Sequence, residues 1–467
     1  MIASDLTRRS MEPAAAPRAV PGPQGYPLVG ALPLVRKDPL QFLVQAARQY
    51  GDVVCLGGFG SQKFFLVTHP DDVEHVLKNN YKNYVKGSNL QLIKPFAGEG
   101  LFLSEGDFWR SQRKLIQPAF HLPRLAALAG SIVGSTETAL DRWAPLAHES
   151  RSFDAERELM HLSLEISVRT LFGSEVAEDA EAVREAVSVA FEFLHTRVWS
   201  LANLPLWMPT PGNLRFQRAV AGMDEVVYRI IRSRRKSGVE GSDVLSMLLS
   251  VRDAETGEAM PDRQIRDEVV TMLVAGHEST AITLAWTLAL LSRHPGIERR
   301  VVAELDEVLG GRTPTFTDLP SLRYLSMVIK ESMRLYPAFW MFSRTPLEDD
   351  VVGGHTIPAG SILMFSSYVT HRRPDFWPNP EAVDPERFTP ERSAERPAFS
   401  YFPFGGGARQ CIGNRLAEFQ IQLMLATLLQ RYSMHLVPGR KVEPEATLSL
   451  RPQGGLWMTL HERAGVS

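Results

Sequence analysis

Apolar and polar positions along this chain follow two different periods. From about residue 106 to residue 335 apolar side chains recur every three to four positions, the spacing of a buried helix face. Proline and glycine interrupt that pattern at Leu204-Pro-Leu-Trp-Met-Pro-Thr-Pro-Gly212 and at Ser237-Gly238. A shorter helix is predicted over Pro39 to Tyr50. Two β-rich runs, Val53–Leu56 and Lys63–Val67, flank Gly57-Gly-Phe-Gly60 and predict a hairpin. Short β-like pieces return around Gly353–Phe365 and at Leu448–Leu460. No internal repeat and no clean linker is visible. The pattern predicts a mainly α fold: one domain over residues 21–467, with a small β portion made from both ends of the chain. Residues 1–20 read as a flexible Ala/Pro-rich tail.

One helix stands apart. Asp262 can cap it, and the pattern then runs to His294-Pro295, interrupted only by Gly276. About 30 residues at 1.5 Å each give roughly 45 Å, enough to cross a domain. Val269, Val270, Leu273, Ala281, Ile282, Leu284 and Ala285 make it apolar over most of its circumference, so it should be buried. Ala275-Gly-His-Glu-Ser-Thr280 lies at its middle. A carboxylate in that position needs a partner or a function.

Composition narrows the class. Of 467 residues 44 % are hydrophobic and 22 % charged, ordinary for a globular protein with room for a large core and a ligand. A net charge of −2 gives no field towards nucleic acid. The basic run Arg229-Ile-Ile-Arg-Ser-Arg-Arg-Lys236 reads as a helix end whose cations complement the dipole and lie in water. No apolar run approaches the ~18 residues of a membrane span. No signal-peptide core opens the chain. These absences lead us to expect a cytoplasmic monomer. Two cysteines, Cys55 and Cys411, exclude a disulfide scaffold and any multi-cysteine metal cluster. Cys55 sits in a strand-like run and reads as a small core residue.

Cys411 is different. It closes Phe404-Gly-Gly-Gly-Ala-Arg-Gln-Cys-Ile-Gly413, just before a helix predicted from Ile412 to about Tyr432. A helix N-terminus lowers a cysteine's pKa. Glycines let the backbone approach a flat ligand and aim N–H groups at the sulfur. Arg409 sets a cation where it can meet an anionic carboxylate. A lone thiolate can serve as the single axial ligand of a haem. The run resembles the cytochrome P450 haem-binding signature at Phe404, Gly407, Arg409, Cys411 and Gly413. That resemblance implies a triangular, α-rich prism with the long helix over the haem, haem b as cofactor and Cys411 as the iron ligand.

Three further runs extend the resemblance over most of the chain. Glu331-Ser-Met-Arg334 is similar to the family's Glu-x-x-Arg motif, which with an arginine here numbered Arg387 implies a buried structural ion network. Trp109-Arg-Ser-Gln-Arg113 resembles a Trp-x-x-x-Arg motif that reaches a haem propionate, and Arg344 matches a second propionate arginine. His371 reads as a structural hydrogen-bonder. Ala275–Thr280 resembles the oxygen-activation segment, which implies that Gly276 makes room for dioxygen while Glu278 and Ser279 relay protons. The family usually has threonine where this chain has Ser279, with Thr280 next. Serine lacks the methyl that fixes the hydroxyl, so proton delivery is expected to be leakier.

The resemblance implies a monooxygenase that hydroxylates or epoxidises an apolar, mid-sized substrate with O2. No flavin domain follows the haem domain, so two electrons must come from a separate ferredoxin or flavodoxin with its reductase. Arg110, Lys114 and Arg415 are candidates for its docking face. The implied pocket draws on Leu90, Phe96, Phe339, Trp340, Met341, Leu456 and Trp457, and suits a terpenoid, steroid or fatty-acid-like ligand. Lys63 is the only base on the first hairpin, which favours neutral substrates over free acids. The rival readings are a peroxide-driven hydroxylase and a haem-thiolate sensor without turnover; the Glu278-Ser279 pair argues against both.

Overall fold

In the computed structural model the helical period resolves into a series of long helices. These are α1 (Pro39–Tyr50), α2 (Gly106–Ile116), α3 (Leu122–His148), α4 (Ala155–Phe172), α5 (Ala180–Val198), α6 (Pro211–Ser237), α7 (Asp262–Arg293), α8 (Pro295–Leu309), α9 (Arg323–Leu335) and α10 (Asn414–Arg431). The structure describes residues 19–24, 37–59, 62–87, 93–173, 180–198, 204–237, 243–252 and 257–463. Most of the expected tail, Gly60 of the first hairpin, Gly238 and Leu90 lie outside them.

Helix α7 organises the rest. Its 32 residues span roughly 48 Å, close to the predicted length. Ile265, Val269, Val270 and Leu273 in its first half pack with Phe172 of α4, Val187 of α5, and Phe216 and Ile231 of α6. Ala281, Ile282, Ala285 and Trp286 in its second half pack with Ile132 of α3, Val301 of α8, Val328 of α9 and Leu425 of α10. Each fully buried aliphatic contributes about 1.5–3 kcal/mol, so the two clusters pin both halves of the helix. Asp262 does not cap α7. It is the first helical residue, and its carboxylate is taken by Arg235 of α6 at 2.7 Å. The basic run closes α6 as expected, but not all of it lies in water. Arg234 is buried against Asp243 at 3.1 Å and donates to the Phe172 carbonyl at 2.9 Å.

The strands are β1 (Val53–Phe59), β2 (Gln62–Val67), β3 (Tyr84–Lys86), β4 (Ser152–Asp154), β5 (Phe342–Pro346), β6 (Asp350–Val352), β7 (His355–Ile357), β8 (Ile362–Phe365), β9 (Tyr432–Leu436), β10 (Pro444–Ala446), β11 (Leu450–Pro452) and β12 (Trp457–Glu462). The main sheet has the order β1-β2-β8-β5-β3. Its β2 and β8 run parallel, with Phe64 opposite Ile362, while the other pairs are antiparallel. The two chain ends therefore do not share one sheet. The first hairpin joins residues 342–365, and the C-terminal strands form a separate sheet, β4-β12-β9, with a strand from the middle of the chain. Among the described residues no helix is long and apolar enough to cross a membrane.

Candidate active site

The glycine-rich loop is held by its own backbone. The Cys411 N–H donates to the Phe404 carbonyl at 3.0 Å and closes the loop on itself. Gly407 has a φ of 64°, and a Cβ there would lie 1.8 Å from the Leu77 carbonyl oxygen, so no side chain fits. Helix α10 starts at Asn414, later than predicted. The Gly413 N–H bonds to the Cys411 sulfur. Burial nevertheless raises the thiol above its ordinary pKa, against the opposing pulls of that N–H and of Arg113. Without a metal, burial thus favours the thiol, whereas the sequence leads to a thiolate at the helix N-terminus. A metal cation on the sulfur would hold the thiolate, because a coordinating thiol is deprotonated outright. Cys411 keeps open surface although burial governs its titration, so that surface faces inward.

A group of cations lies close by. Lys86 on β3 stands directly opposite Arg344 on β5, an arrangement of like charges that destabilises an antiparallel pair. Burial pushes Lys86 down to about 7, with Arg409 and Arg344 adding to the fall. Burial likewise takes Arg344 and Arg409 to about 10. Arg409 covers the Trp109 indole at 3.8 Å, donates to the Ser104 carbonyl at 2.7 Å and pairs with Glu105. Trp109 is thus enclosed between Arg409 and Arg113. The carboxylate that meets Arg409 belongs to the protein itself. Arg113 and Arg344 have no ion-pair partner among the described residues. Lys86 and Glu105 escape a reading of the sequence, because the pairing of β3 with β5 joins segments some 258 positions apart (344 less 86).

Midway along α7 the sealed surface opens. Ala275 is exposed, and Met272, Val274, Gly276, Glu278 and Ser279 are partly open, while His277 and Thr280 are buried. A Cβ at Gly276 would meet Ser167 Oγ of α4 at 3.6 Å. That is an ordinary van der Waals distance, so the packing of α4 on α7 does not require a glycine there; Ala275 and Gly276 both carry open surface. The Ser163 hydroxyl of α4 donates to the His277 carbonyl at 2.8 Å and ties the same stretch down. Burial pushes His277 down to about 4, so it is neutral at physiological pH. The Ser279 hydroxyl donates to the Ala275 carbonyl at 2.8 Å, and Thr280 does likewise to Gly276 at 2.9 Å on the core side. Glu278 Oε1 accepts from Ser449 Oγ at 2.8 Å, and burial raises its carboxyl above the ordinary range.

Glu331, Arg334 and Arg387 come together in a buried group. Arg334 binds Glu331 through two hydrogen bonds of 2.7 Å, both side chains fully buried. Arg334 also donates to the carbonyls of His371, Pro380 and Ala382. Arg387 Nε lies 3.6 Å from Glu331, and the Asp384 N–H donates to the same carboxylate at 2.9 Å. His371 Nε2 accepts from the Phe402 N–H at 2.9 Å, a structural role. The network fixes the segment 371–388 against α9, and His371 reaches from it to the start of the cysteine loop.

Several expected pocket residues are core instead. Trp340 is buried, and its indole donates to the Thr447 carbonyl at 3.0 Å. Leu456 is sealed in the cluster around the second half of α7. Trp457 is half-exposed and not core: Arg440 covers its ring at 4.2 Å, and its indole donates to the Gly454 carbonyl at 3.3 Å. Phe96 is enclosed with Phe216. Phe339 and Met341 keep open surface. Leu90 lies outside the described residues.

Charge and surface together fit a haem: its propionates would add negative charge to the Lys86–Arg113–Arg344 group, where Glu105 is already paired with Arg409, and its iron would supply the cation that Cys411 needs. Comparison with known proteins agrees. The family profile for Cytochrome P450 matches residues 20–458. The chain is 38 % identical over 418 residues to a Streptomyces melanosporofaciens protein named cyclooctat-9-en-7-ol 5-monooxygenase, covering 89 % of this chain and 90 % of that one. It is 32 % identical to the pentalenene oxygenase of Streptomyces avermitilis, covering 91 % and 93 %. The crystal structure of the cytochrome P450DA haem domain superposes with a TM-score of 0.87 at 25 % identity, covering 96 % of this chain and 98 % of that one.

Proposed function

The chain belongs to the cytochrome P450 family of haem b oxygenases, and from that premise we propose that it hydroxylates or epoxidises a neutral cyclic terpenoid with electrons from a separate ferredoxin or flavodoxin. Bound haem supplies the activation of dioxygen and the insertion of one oxygen atom into the substrate. Cys411 would hold the iron; Arg113, Arg344 and Lys86 would hold the propionates. The observation that carries the substrate class is the likeness over about nine-tenths of the chain to relatives named for cyclooctat-9-en-7-ol and pentalenene. The open stretch of α7, with Met272, Val274 and Ala275, offers an apolar wall to such a ligand.

Ser279 holds its hydroxyl along the helix, where it can take a proton from Glu278 and pass it on. Electron supply is supported by a groove of about 400 Å³ lined by Tyr81, Trp109, Arg110, Arg113, Lys114 and His121. Ala408, three positions before the cysteine, also lines it. Its basic rim suits an acidic electron carrier, with the exposed Arg415 as a further contact. We place the protein in the cytoplasm as a monomer.

The test is a panel of pentalenene, cyclooctat-9-en-7-ol, a steroid and a medium-chain fatty acid. The two terpenoids should shift the haem to high spin and yield oxygenated product with NADPH, ferredoxin and its reductase. Product formed only with added peroxide would favour the peroxide-driven reading. Binding of the fatty acid alone would overturn the substrate class.

A further inference from the structure

A second buried acid lies beside the proton-delivering one, and nothing said so far gives it a task. Glu156 sits in the first turn of α4, 2 % exposed, and neither of its carboxylate oxygens receives a hydrogen bond among the described residues. Its one ion-pair partner there is Arg451 of β11, whose Nε stands 3.3 Å from Oε1. Ser449, two positions earlier, donates to Glu278. Ser449 lies in the bend that enters β11 and Arg451 within that strand, so one short segment presents a hydroxyl to Glu278 and a guanidinium to Glu156. Leu450 between them locks that segment: its N–H donates to the Ala338 carbonyl at 2.9 Å, and its carbonyl accepts from the Trp286 indole at 2.8 Å. Arg451 acts electrostatically on both acids, and the acids act on each other. Glu278 Oε2 also lacks a donor among the described residues. Arg451 itself is 41 % exposed and opens the group to solvent.

We propose that Glu156 is a positioning residue for proton delivery, sharing Arg451 with Glu278 so that the two acids keep one proton between them and Glu156 is the member refilled from solvent. The proposal rests on the reading that Glu278 and Ser279 deliver protons. Charge supports it. Around Glu156 lie three further carboxyls, Asp154 on β4, Glu445 on β10 and Glu278 on α7, against the single guanidinium of Arg451. Asp154 is already engaged by the Leu456 N–H at 3.0 Å. Glu156 and Glu278 are the two whose carboxyls burial raises, and two such acids beside one guanidinium do not both ionise but titrate as a unit. Burial pushes Glu156 up to about 7, with Arg451 opposing. In each turnover the shared proton leaves from Glu278 towards Ser279, a solvent proton entering beside Arg451 protonates Glu156, and that proton then moves to the Glu278 carboxylate. No oxidant or further reactant is needed.

The experiment follows the fraction of NADPH lost to hydrogen peroxide against pH, in holoenzyme given cyclooctat-9-en-7-ol, ferredoxin and reductase. It is paired with infrared titration of ¹³C-glutamate carboxyls in the substrate-free holoenzyme. In the native protein the peroxide fraction should climb as pH rises through about 7, the value towards which Glu156 is pushed. Glu156→Gln frees Arg451 to favour ionised Glu278, and should move that climb down by about one pH unit. One protonated carboxyl should vanish from the infrared spectrum at neutral pH. Glu156→Asp should restore both. Arg451→Gln, at a half-exposed site that tolerates change, should move the climb the other way. Unmoved profiles in Glu156→Gln and Arg451→Gln, beside a clear loss of coupling in Glu278→Gln, would overturn the proposal and leave the role of Glu278 standing. No effect from Glu278→Gln either would overturn both.

Discussion

At the scale of single residues the account turns on Ser279 and the cations. The Ser279 hydroxyl is parked on the Ala275 carbonyl, but serine has no methyl to keep it there. A rotamer preference of about 0.5–1 kcal/mol corresponds to roughly two- to fivefold in occupancy. Ser279→Thr should therefore lower peroxide released per NADPH by about that factor. Ser279→Ala should raise it, with substrate affinity unchanged; equal ratios in all three proteins would remove Ser279 from proton delivery. Arg344 gives a test of opposite signs. It faces Lys86 across the β3–β5 pair, so Arg344→Gln should stabilise the haem-free protein by roughly 0.2–1 kcal/mol and speed haem loss to apomyoglobin. A destabilised apoprotein, or unchanged haem transfer, would show that the pair is not waiting for an anion. Contacts were legible in the sequence where the partners are also close in sequence. Cys411 with Phe404 and Gly413 is one case, and Glu331 with Arg334 another. Lys86, Glu105 and Glu156 were illegible because their partners lie on distant segments.

Elements add constraints that no single residue holds. The loop before α2 is clamped to α7: Asp267 accepts from the Glu99 N–H and Glu268 from the Leu101 N–H, both at 2.9 Å. Gly98 and Gly100 have no room for a Cβ against Asp267 and Thr271. Burial pushes Glu268 up to about 7 from its ordinary 4.5, outweighing the hydrogen bonds it accepts from Leu101 and Gln264. A carboxyl raised by folding favours the native state while protonated. Its contribution is complete below about 4.5 and is lost as pH climbs through about 7. Glu268→Gln should flatten the fall in melting temperature between those values, and the protection of the Leu101 amide, corrected for the base-catalysed intrinsic rate, should change with pH only in the native protein. A steeper fall in the variant would reverse that sign. Between α9 and the segment 371–388, Glu331→Ala strands a buried guanidinium at a cost of roughly 3–5 kcal/mol. Little soluble holoprotein is expected, and well-folded, haem-loaded Glu331→Ala would contradict the network's role. Of the elements themselves α1 and α7 were legible almost to the residue, because local period and punctuation define them. The order β1-β2-β8-β5-β3 was not, since a parallel pair between residues 64 and 362 leaves no local mark.

Across the whole molecule the parts meet at one helix. Two apolar clusters grip the ends of α7 and leave its middle open, while the ion network and His371 hold the cysteine loop. The basic groove at Trp109 and Ala408 is lined by different residues from the acidic group at Glu156 and Arg451, so electrons and protons would reach the centre by separate routes. All of this presupposes that Cys411 binds haem iron as a thiolate, although burial alone holds it as a thiol. The spectrum of the reduced protein under carbon monoxide reports that state directly. The native holoprotein should show the strongly red-shifted Soret band of a thiolate-ligated haem, and Cys411→Ala should lose it. The same band persisting in Cys411→Ala, or its absence from well-folded, haem-loaded native protein, would contradict the account.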